Sequence, residues 1–155
     1  MQMTLLFAFL IGLFAGLRSL TPPAAIAWAA YLGWLKLARP MSFVGSLPAV
    51  IILSLFAIIE LMADKLPNTP NRTALQGLIV RIVTGGFAGA CVSLGGGRSG
   101  FVGAGLGVIG GIVGAFGGYQ ARARLVKSLR QPDFSIALGE DLIAIGGSLF
   151  IVSRL

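Results

Sequence analysis

Apolar residues fall into long runs separated by short polar stretches. Four runs, at 43–63, 75–94, 101–119 and 135–153, reach the roughly 20 helical residues that a hydrocarbon core of about 30 Å demands. A fifth stretch, 3–35, would be about 50 Å long as one helix, too long for one span without extreme tilt. It is interrupted at Arg18-Ser19-Leu20-Thr21-Pro22-Pro23, where the first proline pushes Thr21 out of helical geometry. Each piece alone covers about 20 Å. The pattern predicts helices over 3–17, 23–35, 43–63, 75–94, 101–119 and 135–153. The first two form either a hairpin or re-entrant pair, or one broken span.

Composition sharpens this picture. The 155 residues are 56% hydrophobic and 11% charged, with a mean hydropathy of +0.92, whereas soluble domains carry about 25% charged residues. That excludes an ordinary water-soluble enzyme and a disordered tail. The length allows one domain, a single transmembrane unit over 1–155. Twelve Lys and Arg against five Asp and Glu give a net charge of +7. The basic residues sit between apolar runs, a distribution suited to topology and lipid headgroups and not to nucleic acid. A single cysteine, Cys91, excludes a disulfide framework, and the absence of histidine removes the commonest general base and metal ligand. No cofactor and no catalytic residue are expected. A cleaved signal peptide is disfavoured because no positive residue precedes the first apolar stretch.

Residues 120–134 carry Arg122, Arg124, Lys127 and Arg130 against Asp133, so this loop is expected on the cytoplasmic side of the membrane. The 75–94 and 101–119 helices cross and return, which puts the 64–74 loop, with Lys65 and Arg72, on the same side. Trp28, Tyr31, Trp34 and Tyr119 suit interfacial anchors or ordinary packing.

With so few acids, each position is informative. Glu60 and Asp64 are four apart and share a helix face. Glu140 and Asp141 look like loop residues, yet 142–153 gives only about 18 Å of helix, which cannot cross. The last span must recruit 135–139, carrying both acids into the membrane. The two pairs then lie at the same end, at similar depth. A carboxylate in a span costs about 2.5–3.5 kcal/mol and faces a partner or a wet cavity. Together the four could bind a hard cation or carry a proton. Alternatively they salt-bridge to Arg81, Arg72 or Lys65 and fix packing.

The break is a second constellation. Thr21 suits an N-cap and Pro22 or Pro23 a first helical turn. A helix N-terminus in the membrane, with Arg18 upstream, makes an anion site of the kind that discontinuous transporter helices use. Arg18 could equally pair with Glu60 as a counter-charge. Glycine dominates the centre. Gly103, Gly107 and Gly111 are spaced by four, as are Gly110, Gly114 and Gly118, so this helix is central or forms a dimer seam. The 95–100 turn, Gly-Gly-Gly-Arg-Ser-Gly, is a plain interhelical turn or a phosphate nest. Residues 12–16 and 85–89 share four of five residues, an echo that would fit an inverted repeat of three-helix halves.

Gly16-Leu17-Arg18 followed by Thr21-Pro22, then Glu60 with Ala63-Asp64-Lys65-Leu66-Pro67, then Glu140-Asp141, resemble the bacterial membrane family called domain of unknown function 4126. The resemblance covers most of the chain and implies a multi-helix inner-membrane protein, with no particular activity. A looser similarity is to membrane cation/proton exchangers with a Glu-x-Gly-Asp-Lys motif. Their acids are three apart around a glycine and occur twice. Here Glu60 and Asp64 are four apart without one, and Glu140-Asp141 lacks the Lys.

The expected fold is therefore all-α, a polytopic membrane bundle of five or six helices with a broken N-terminal element and a Gly-striped central helix. The expected function is a small transporter or channel for an ion or small charged solute. Glu60, Asp64, Glu140 and Asp141 would handle a cation or proton, and Arg18, Thr21 and Arg81 would supply the anion contact or counter-charge. Lipid is an expected partner, and so is a second copy of the chain, because so small a bundle encloses little cavity alone. The alternative is a non-transporting factor that binds anionic lipid through Arg122, Arg124, Lys127 and Arg130 or organises partner proteins. An intramembrane enzyme is a third and weaker reading, since Ser and Cys lack a partner base.

Overall fold

The computed structural model describes residues 2–64, 74–129 and 133–155. Lys65, Arg72, Arg130 and the Lys65-Leu66-Pro67 part of the motif lie outside them. Among the described residues there are six α-helices and no strand: α1 (Gln2–Leu17), α2 (Thr21–Tyr31), α3 (Leu47–Ala63), α4 (Leu75–Gly95), α5 (Gly100–Leu129) and α6 (Asp133–Val152). A short 3-10 turn, Met41–Gly45, precedes α3.

Successive helices alternate in direction. Gly12 of α1 meets Gly107 of α5 and Gly16 meets Gly111, so α1 and α5 run parallel. Gly85 meets Gly107 and Gly89 meets Gly103, so α4 and α5 are antiparallel. Phe14 packs on Gly147 of α6. The N-terminal break therefore separates two helices that double back on each other, the hairpin alternative.

The inner layer is α1, α4 and α5, packed backbone to backbone. A Cβ on Gly107 would stand 2.1 Å from the Gly85 carbonyl oxygen, and one on Gly12 2.2 Å from that of Gly107. Both Gly-x-Phe-Ala-Gly segments thus press on one point of α5. Gly103 and Gly111 face α4, and Gly114 faces Leu13 and Gly16 of α1; Gly118 is buried further along α5. Only the lack of a side chain allows this approach. An inverted repeat would equate α2 with α5, but they have 11 and 30 residues.

The outer layer is α2, α3 and α6. Here the expected 43–63 helix is divided. Ser46 is extended (φ −78°, ψ 149°), its hydroxyl accepts from the Ala49 N–H, and a proline sits in the first turn, all of which start a helix at Leu47. The resulting 17 residues are shorter than the expected span. α2 is likewise shorter than expected. It stops at Tyr31, and Gly33 (φ +80°) turns the chain while the Trp34 and Leu35 N–H groups close on the Ala29 carbonyl. α5 is longer than expected, running through Arg122, Arg124 and Lys127, because its Ala-, Arg- and Leu-rich end keeps helix propensity after hydropathy falls.

Among the described residues, three helices are long and apolar enough to cross a membrane: Leu75–Gly95, Gly100–Ser128 and Phe134–Val152. α1 and α3 are shorter apolar helices. The outward surface carries many large apolar side chains, among them Ile51, Leu55, Ile59 and Met62 on α3, as a lipid-facing surface would.

Candidate functional site

Alternation of the helices brings the C-terminal ends of α1, α3 and α5 to the same face as the N-terminal ends of α2, α4 and α6. The acids meet the break there. Arg18, just past α1, is completely buried. Its Nε donates to Oδ1 of Asp141 at 2.6 Å, and Nη2 lies 2.5 Å from the same oxygen, an ion-pair contact outside hydrogen-bond geometry. Its Nη1 pairs with Oδ2 of Asp64. One guanidinium thus ties α1 to α3 and α6. Asp141 is buried, and the Asp64 side chain is 16% exposed at the C-cap of α3.

Glu60 is not part of that set. Leu20 occupies the cap position of α2 and offers no side-chain cap. Pro22 and Pro23 have no N–H, so the free donors at this start lie upstream. Glu60 reaches them from α3. Its Oε1 accepts from the Ser19 N–H (2.8 Å) and hydroxyl (2.5 Å), and Oε2 from the Leu20 N–H (2.8 Å). A carboxylate at a helix N-terminus is also favoured by the dipole. The proposed anion site is therefore filled by the protein's own carboxylate. Thr21 is not the cap, since it is already helical, and its buried hydroxyl has no hydrogen-bond partner among the described residues.

Arg81 does the complementary task at the other helix end. Its Nε donates to the Gly16 carbonyl (3.1 Å) and Nη1 to that of Gly77 (3.0 Å), placing a cation on the last turn of α1. Glu140 faces Arg122 of α5 at 3.6 Å.

The four carboxylates expected to act together have different partners in the structure. Asp64 and Asp141 share Arg18, Glu60 caps α2 and Glu140 meets Arg122. Among the described residues no three Asp, Glu, Cys or His side chains could hold a metal ion. The reason is electrostatic. A carboxylate withdrawn from water needs donors, and Arg18 and the two backbone N–H groups supply them where a second carboxylate would only repel. Arg124 and Lys127 are exposed on α5, outside this network. Nor does the 95–100 turn present a free nest, because the N–H groups of Gly96, Gly97 and Arg98 go to the Val92, Leu94 and Ser93 carbonyls. Ser19 is the residue that sequence reasoning missed. Its signal was a hydroxyl residue just ahead of a proline-led helix.

Beside the network, α2, α3 and α6 enclose a groove of about 200 Å³. Thr21, Ala57, Leu61 and Ile145 line it where it approaches Glu60 and Arg18, and Trp28 and Ser54 where it approaches the opposite end. The groove is apolar, unlike the wet cavity expected of a transport site. The Trp28 indole N–H donates to the Ser54 hydroxyl at 3.0 Å.

An all-helical bundle with lipid-facing sides, close glycine packing and a charge network at one end defines an integral membrane protein. Residues 5–153 match the family model described as domain of unknown function 4126 (DUF4126), and the chain belongs to that family. No curated protein and no solved structure matches it, so the likeness to cation/proton exchangers finds no counterpart.

Proposed function

We propose that the protein is a small membrane transporter or channel whose moving charge is a proton or monovalent cation taken up at the Arg18–Asp64–Asp141 network. One observation carries this reading: a fully buried guanidinium is shared by aspartates of two different helices. Such a group can be held by one aspartate while the other takes a proton or cation. Asp64 is the exchanging partner, because it is the more exposed of the two and because α3 buries only Val50 and Ala57 of its own length. Asp141 retains Arg18 meanwhile. Release of Asp64 frees the C-cap of α3 from Arg18, while Glu60 keeps the last turn of α3 on Ser19 and Leu20. Glu60 and Arg81 hold the start of α2 and the end of α1, so that the break keeps its shape through the cycle.

Positive residues at this end, including Arg122, Arg124 and Lys127, favour the cytoplasmic side of a bacterial inner membrane. A second copy of the chain would enlarge the cavity available. A second reading, anionic lipid binding without transport, draws on α5 itself. Its 30 residues exceed a span by about ten, and the overhang exposes Arg124 and Lys127.

The test is proton and alkali-cation flux in proteoliposomes with a trapped indicator. Wild type should conduct and Asp64→Asn should not, with the variant still eluting as an intact helical protein. Glu60→Gln should still conduct. A silent wild type, or equal flux with and without Asp64, removes the proposal.

A further inference from the structure

The five acids lie between Glu60 and Asp141 in sequence, and Glu60, Asp64, Glu140 and Asp141 stand at the network end of the bundle. The opposite end is built from the α2–α3 connection, the α4–α5 turn and the chain beyond α6. Those segments contain Lys36, Arg39, Arg98 and Arg154 and no Asp or Glu. They are held together by one apolar plug in which Leu35, Val44, Val92, Ile151 and Val152 are each at most 2% exposed. Leu35 also seats against Gly95 at the α4–α5 turn. Lys36, Arg39 and Arg154 are exposed around this plug, Arg154 lying 5.2 Å above the Phe150 ring. Trp28, Tyr31 and Trp34 stand at the same end, 44–52% exposed, the first two edge to face at 6.2 Å.

A surface whose charged side chains are all basic, fringed by half-exposed aromatic rings, matches the membrane boundary in both respects. Indole and phenol rings settle at headgroup depth, and basic groups beside an anionic leaflet are attracted to it. We propose that this end is a docking surface for anionic phospholipid headgroups, bound chiefly by Lys36, Arg39 and Arg154 with Arg98 adding to the field. It is separate from the charge network and does not depend on transport.

Both tryptophans of the chain, Trp28 and Trp34, lie on this face and report on it. The protein is reconstituted in bilayers containing equal fractions of brominated phosphatidylglycerol or brominated phosphatidylcholine, and tryptophan quenching is compared. Each basic group favours an anionic surface by about fivefold, so the brominated anionic lipid should quench more strongly at low salt. The preference should fade at about 1 M salt, where screening acts within about 3 Å. In Lys36→Gln/Arg39→Gln/Arg154→Gln it should fall several-fold. Equal quenching by the two lipids in wild type overturns the proposal and leaves the face to an acidic protein. A preference that survives both high salt and the triple replacement overturns it too. The salt series needs no variant and stands even if the triple variant folds poorly.

Discussion

Removing the charge of Arg18 tests how the bundle is held. Arg18→Gln keeps a polar but shorter side chain and leaves Asp64 and Asp141 facing the same buried point without a counter-charge. Breaking a buried pair from one side costs about 3–5 kcal/mol, and here two carboxylates lose the same partner. Restoring neutrality should recover much of the loss, unequally. Asp141 is the deeper residue, with Nε and Nη2 both on its Oδ1 and 6% side-chain exposure, against 16% for Asp64. Arg18→Gln/Asp141→Asn should therefore recover more than Arg18→Gln/Asp64→Asn. The coupling energy should lie in the upper part of the range of about 0.5–3 kcal/mol found within one charge network. The assay is denaturant titration in detergent micelles, followed by far-UV circular dichroism, on the three single variants, the two double variants and wild type. Strictly additive losses, or an Arg18→Gln protein as stable as wild type, would refute the argument.

Other outcomes follow from the same geometry. Gly107→Ala places a Cβ 2.1 Å from a backbone oxygen of α4, so α4 must retreat by about 1.3 Å, an overpacking that costs about 1–3 kcal/mol. Gly105→Ala, on the same helix with open space, should be neutral or stabilising by up to about 1 kcal/mol; equal effects of the two in thermal unfolding would contradict the packing. Glu60→Gln loses the charge that three donors share, and bonds to a charged group are each worth about 1.5–3 kcal/mol. Amide exchange at Ser19 and Leu20 should accelerate by about tenfold or more, and unchanged protection would mean that Glu60 is not the cap.

Hydropathy was sufficient for the membrane bundle, and the span length alone was enough to draw Glu140 and Asp141 into α6. The break at 18–23 was legible because proline acts locally, through its fixed φ and missing N–H. What hydropathy misplaced were ends set by other forces. Ser46 and a proline start α3 inside an apolar run, and α5 continues past Tyr119 on helix propensity alone. The partners of the acids were beyond any local pattern. Glu60 caps a helix that starts some 40 residues earlier in the chain, and Asp141 finds Arg18 across 123. Spacing of four placed Glu60 and Asp64 on one face of α3, as it must, but their separate destinations depend on where the N-terminal break sits against that face. The glycine stripes announced close packing and left open against what. Both stripes turn inward, onto α1 and α4.

The central claim is that Asp64 leaves Arg18 when it takes up a charge, and proton uptake can be observed directly. An infrared difference spectrum of the reconstituted protein, recorded on lowering the pH, should contain a carboxylic-acid carbonyl band that is absent from Asp64→Asn and retained in Glu60→Gln. A band that survives in Asp64→Asn, or no such band together with no Asp64-dependent cation flux, would contradict the account.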